Sequence, residues 1–418
     1  MKKVDVNELR KVAVEYRSDV DALTVVNQAR ELYKAIKLFG IENVTTTYWK
    51  EDFIDMEKSG HDISTRVRAL AAIMMMHELQ MNDSATSVDR LEKHFGDISI
   101  EASIGYRFGN KKINLTSKSN EIIIKEYLGD KQISLKEKKN RVWIKSLYDL
   151  IVLQKDDIDL WHLWTECEKL YQTVVAVGLK NTTCWIRCEN LKELSFTGSE
   201  IPERIRAFCL FVMVHMYRMN DDEAHMQMLS ERFELRAVAK VILGDTDIFK
   251  DKSDNHLKCI SLKQIAGRYL KKREAGEWHE SPITLQLPFD AIETQRFDTE
   301  SETMVELLWT ALDALYKTTK IIGIDNVNVR YVDANKKMVV QSGRNVPEKI
   351  RAFSEEAVIY MYRMNDSDAS RARLEAHFAV SASSKVILGN TNVISCSKSM
   401  PCISFKKLIE RYFENSSR

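Results

Sequence analysis

Three arginines hold one repeated place in this 418-residue chain. Arg68, Arg206 and Arg351 each precede an Ala, and each lies 14 residues before the Asn of a Met-Asn-Asp run, at Asn82, Asn220 and Asn365. A guanidinium presents a planar fork of donors that grips phosphate or carboxylate through paired bonds. Three of them on one surface would form an anion-binding face. The competing reading is a structural tie within each unit. Asn82 itself is not the partner, because 14 helical residues separate it from Arg68 by ~21 Å.

A second group suggests nucleic acid. The run "KQISLKEKKNRVWIK" at 131–145 holds six cations, Lys131, Lys136, Lys138, Lys139, Arg141 and Lys145, against one Glu, with Trp143 among them. Basic residues beside an aromatic suit phosphate contact combined with base stacking. A solvated helix face is the plainer account of the same charges.

Other chemistry is thinly represented. The nine histidines do not cluster. His77 and His215 share a repeat position that holds Tyr360 in the third copy. His94 and His377 share one that holds Arg232, a slot that reads as a polar helix flank. Cys184 and Cys188 have no second pair and no His at ligand spacing, so the seven cysteines read as buried thiols rather than a metal site. None of the Gly-rich phosphate loops or the nucleophile elbow occurs. The expectation is no catalytic set, no metal and no cofactor.

Composition sets the class. Lys plus Arg (62) and Asp plus Glu (61) cancel, which argues against a general nucleic-acid coat while leaving a local basic face open. The N-terminal stretch lacks the apolar core of a signal peptide, and no apolar run is long enough to span a bilayer. A soluble intracellular protein, cytoplasmic or nuclear, is expected.

The elements that must position these residues come from internal duplication. Gly40, Gly178 and Gly323 each lie 42 residues before the anchoring Asn, and Leu-Tyr lies eight residues before each Gly. Phe95, Phe233 and Phe378 follow the anchor by thirteen. From Pro202 to Gly244, against Pro347 to Gly389, 21 of 43 positions are identical.

Each copy opens with an amphipathic helix ended by its Gly. A strand such as "NTTCWI" follows, then a polar loop, then a second helix with Pro202 or Pro347 in its first turn. A third, short helix carries the Leu and Phe. "SIGYRFGNKKINL", "AKVILGDTDIF" and "SKVILGNTNVI" then read as β-hairpins around Gly-Asn or Gly-Asp. A helix–turn–helix reading of this region fails on register, because the apolar residues after the turn are misplaced for a recognition helix. Ser134, Ser261 and Ser404 open a closing helix, with a capping box at Ser261 and Gln264.

The fold class expected is α+β and helix-rich: three tandem repeats of a helix–strand–helix–helix–β-hairpin–helix unit. Residues 1–145 form the first with an N-terminal extension, 146–274 the second, 275–301 a linker that includes a short strand "ITLQL", and 302–418 the third. Copy three has Glu355 and Glu356 where copy two has Leu210 and Phe211. A stacked array follows, its middle unit covered and its end unit showing a polar face. The function expected is non-enzymatic: a tandem-repeat scaffold engaging a protein partner or itself multivalently, with no membrane and no small-molecule cofactor. The alternative is a nucleic-acid-binding protein using the 131–145 face and the repeated arginines.

Overall fold

The computed structural model describes residues 1–15, 21–49, 55–78, 85–104, 140–149, 152, 159–187, 192–217, 223–244, 261–269, 284–286, 301–333, 337–362, 374–382, 384–388 and 404–414. The chain is a helix-rich α+β protein with small mixed sheets. No helix among the described residues is long and apolar enough to cross a membrane.

Three long helices set the frame: Ala22–Phe39, Leu160–Val177 and Glu302–Ile322. Each begins on a side chain that accepts from its first turn: Asp21 from the Leu23 amide, Asp159 from the Trp161 amide and Ser301 from the Met304 amide. Each ends at a Gly with φ between 84° and 87°, where a Cβ would be strained. The chain can then turn sharply into a strand.

That strand is the middle of a three-stranded sheet. The sheets are β1 (Lys2–Asp5), β2 (Val44–Trp49) and β3 (Asp55–Ser59); β4 (Asn140–Trp143), β5 (Thr182–Arg187) and β6 (Glu193–Thr197); and β7 (Thr284–Gln286), β8 (Asn328–Val332) and β9 (Met338–Ser342). In each, the first two strands run parallel, joined across the long helix, and the last two antiparallel. A parallel pair requires such a crossover.

Behind each sheet a second helix packs on the long helix of its own segment: Thr65–Glu78, Glu203–Tyr217 and Glu348–Tyr362. The capping box at Ser261 forms as expected, with the Ser261 amide donating to Gln264 Oε1 at 2.9 Å and the Gln264 amide to Ser261 Oγ at 3.3 Å. It opens the helix Leu262–Tyr269. Ser404 likewise caps Phe405–Glu414 through the Lys407 amide. Ser134 lies outside the described residues.

The segments close on one another instead of stacking in a line. The three long helices touch pairwise. Leu38 and Phe39 of the first segment lie in the apolar core of the other two, while Ala176 and Val177 of the second lie in the core of the first. The helix Leu262–Tyr269 packs on Glu302–Ile322, and Phe405–Glu414 returns to pack on Ala22–Phe39. The Met1 amino group adds an ion pair to Glu302 at 3.0 Å. A linear array with an exposed end is therefore not what forms.

Glu355 and Glu356 are covered within their own segment, by the turn Ser384–Ile387. Both are fully enclosed, and Ser384 Oγ donates to each. The expected solvated face is an interior one, because a neighbouring helical turn covers it and supplies a donor.

Three further expectations change. The polar loops are the strands β3, β6 and β9; as edge strands they bury little, so no alternating apolar pattern marks them. Where the described residues reach the expected hairpins they are helical: Ser103 and Ile104 end the turn Ile100–Ile104, and Ala239–Ile242 and Ser384–Ile387 open the other two. Val241 explains the choice: it is exposed between buried Ala239 and Leu243, and a strand would put all three on one face, whereas a helical turn puts Val241 opposite the other two. Finally, Asn140–Trp143 in the basic run is a strand paired to β5 and not part of a helix, whereas Thr284–Gln286, paired to β8, is the short strand expected in the linker.

Candidate functional site

The repeated arginines are interior. Arg68, Arg206 and Arg351 are about nineteen-twentieths enclosed. Arg68 donates from Nε to the Ile63 carbonyl at 2.9 Å, from Nη1 to Phe95 at 2.6 Å and Gly96 at 3.1 Å, and from Nη2 to His61 at 3.2 Å. Arg206 repeats this with the carbonyls of Ile201, Phe233, Glu234 and Ser199. Arg351 does so with those of Val346, Phe378, Ala379 and Arg344.

Each fork thus clamps the end of the third helix to the loop that starts the second helix. Glu234 and Ala379, at the clamped turn, have φ of 48° and 50°, a left-handed conformation rare for residues with a Cβ. Burial lowers the pKa of all three guanidinium groups. They do not share a surface and do not present an anion-binding face. The tie expected as the competing reading is what the geometry forms, with carbonyls in place of a carboxylate.

The slot shared by His94, Arg232 and His377 is also buried, not a helix flank. Lys37 Nζ lies 3.5 Å from His94 Nε2 and 3.5 Å from the centre of the Tyr360 ring. Lys320 Nζ lies 3.1 Å from His377 Nε2. In the second segment Val175 replaces the lysine and Arg232 the histidine, its pKa pushed down to about 10 by burial. At this slot each segment thus encloses one long cationic side chain. Cys167, Cys184 and Cys209 are buried free thiols, as expected, and burial raises the Cys167 and Cys184 pKa values. Among the described residues no group of His, Cys, Asp and Glu is arranged to hold a metal ion.

The basic run divides. Lys131, Lys136, Lys138 and Lys139 lie outside the described residues. Arg141 and Trp143 alternate with buried Val142 and Ile144, so β4 points them to solvent, and Trp143 is 50% exposed. Lys145 follows at the start of a helical turn and is also exposed.

Parallel pairing brings in two residues that sequence reading passed over. Trp185 sits directly opposite Trp143, their ring centres 6.3 Å apart, and the Arg141 guanidinium lies 5.0 Å from the Trp185 ring centre. Arg187, two residues on, is exposed and reaches Glu193 at 3.1 Å. The signal was present in "TTCWIR", whose alternation puts Thr183, Trp185 and Arg187 on one face. Which strand lies beside it was not written locally.

The outer face of this sheet therefore carries Arg141, Trp143, Trp185 and Arg187, bordered by Ser195 and a Thr183–Thr197 hydroxyl pair at 3.0 Å. On the first sheet the matching register positions are Lys3, Asp5 and Thr47, with Lys3 paired to Glu57. On the third, exposed Met338 and Val340 stand beside Arg330. Among the described side chains of these outer faces, aromatic rings stand beside cations on the second sheet. No family model, curated protein or solved structure matches the chain; its class is the helix-rich α+β protein that the fold defines.

Proposed function

We propose that the chain consists of three tandem copies of one unit, closed on each other, and that it works by binding a macromolecule without chemistry of its own. The interface is the outer face of β4–β5–β6. One observation carries this: a half-exposed tryptophan backed by a second ring and flanked by cations, on a sheet edge facing solvent. An exposed large aromatic is costly to hydrate and is favoured where a partner covers it.

Two further features support the reading. The duplicated segments match strongly in their buried residues and differ on their outer sheet faces, so duplication multiplied a scaffold and one copy acquired this surface. The polar groups enclosed in the cores, the arginine clamps and the Lys–His pairs, are consumed by the fold itself. Engagement through one face replaces engagement through three like faces, because the three outer faces are chemically unlike.

Oxidative footprinting tests the interface without knowing the partner. In an extract from the native source, Trp143 is expected to be protected relative to buffer, while Trp161, exposed on the long helix Leu160–Val177, labels equally in both. Equal labelling of Trp143 in both conditions removes the proposal.

A further inference from the structure

We infer that the partner of this face is single-stranded nucleic acid, with a base stacked on Trp143 and phosphates held by Arg141, Arg187 and Lys145. The inference rests on the interface proposed above and names its occupant.

Charge selects a polyanion. Arg141, Lys145 and Arg187 are exposed around the rings, and the one carboxylate described on this face, Glu193, is held by Arg187. That exposed ion pair is weak enough for a phosphate to displace. A guanidinium is suited to this exchange because its fork accepts a phosphate as readily as a carboxylate.

The ring geometry selects a base. Trp143 projects from a flat strand with half its surface in solvent, while Trp185 and Arg141 hold one another at its side. A free aromatic face of this kind takes any unpaired base, and neighbouring cations follow the backbone. Duplex bases are already stacked and cannot reach it.

The surroundings argue against a protein partner. Energetically dominant aromatics in protein interfaces sit in packed apolar pockets that exclude water. Here the residues beside the rings are Ser195, exposed, and Thr197, half-buried with its hydroxyl bonded to Thr183, so the border is polar instead of apolar. The exposed aliphatic residues Met338 and Val340 lie on a different sheet, and Leu194, exposed on β6, alternates with Glu193 and Ser195 and so points to the opposite face.

The test is fluorescence anisotropy of the full chain with labelled 12-nucleotide single strands, DNA and RNA, and with the matching duplex, from 50 to 200 mM salt. Single strands are expected to bind with a log–log salt slope of about −2, as three phosphate contacts imply, and the duplex much more weakly. Trp143→Ala is expected to weaken binding about tenfold, with Trp143→Phe restoring most of it and Trp161→Ala unchanged. Arg141→Met should reduce the slope by about 0.7. Comparison of DNA with RNA identifies the sugar preferred.

Absence of salt-dependent binding overturns the inference, as does equal binding by wild type and Trp143→Ala, or duplex binding as tight as single-strand binding. If Trp143 is protected in extract but nuclease treatment leaves the protection intact and oligonucleotides fail to bind, the interface stands and its partner is a protein. If Trp143 is unprotected, the interface itself fails.

Discussion

An arginine that spends its donors on backbone carbonyls stabilises a turn that would otherwise strand those carbonyls in the interior. Arg206 makes four such bonds, holding Glu234 in its left-handed conformation. Hydrogen bonds from charged donors each contribute roughly 1.5–3 kcal/mol, and unpaired buried carbonyls add their own penalty. Arg206→Met is therefore expected to cost about 3 kcal/mol or more, read as a lower urea midpoint, with Arg68→Met and Arg351→Met behaving alike. Unchanged stability in all three would show that the clamps are incidental. The Lys–His slots make a sharper prediction. His377→Arg sets a second permanent cation beside Lys320 in the interior and is expected to destabilise. Lys320→Val combined with His377→Arg recreates the pairing that Val175 and Arg232 already form, and should recover the loss. A double-mutant cycle is expected to show about 2 kcal/mol of coupling; additive effects would sink the idea that the two positions share one charge.

Among the elements, the link between the second helix and the chain beyond the third is polar and exposed in the second and third segments. Glu348 accepts from the Ser381 amide, and Glu203 accepts from the Arg236 amide at 2.9 Å. The Ser381 amide and side chain hold the Glu348 carboxyl below its ordinary value of 4.5. A depressed carboxyl stabilises the fold above its unfolded pKa, and the contribution is lost as pH falls through the folded value. Glu348→Gln should thus lower the urea midpoint slightly at pH 7 and progressively less below pH 4.5, the two proteins converging in acid. A constant difference at every pH would rule out the titrating carboxylate as its source. Element identity also explains where sequence reading lost its way. The long helices and their Gly ends were legible, because caps and periodicity are local. The edge strands β3, β6 and β9 were not, since their exposed residues need not alternate. The helical turn at Ala239–Ile242 was masked by β-branched residues whose burial depends on what packs above them.

For the molecule as a whole, shared cores tie the segments into one cooperative object. Phe39 lies among residues of the second and third segments and Val177 among those of the first, so no segment buries its apolar surface alone. Scanning calorimetry is expected to show a single transition for the full chain; three resolved transitions would show that the segments fold independently.

What the sequence determined by itself was the local framework: three long helices with their caps, a strand after each glycine, and a second helix behind it. These depend on interactions within a few residues or on repetition visible in the letters. The tertiary structure decided the rest, because it depends on which distant segments meet. It turned the arginines from an apparent surface into clamps and folded the segments back on one another. It also placed Trp185 opposite Trp143, the pairing that forms the candidate site. Strand partners 42 residues apart carry no local signature, since their pairing is set only when the helix between them packs down.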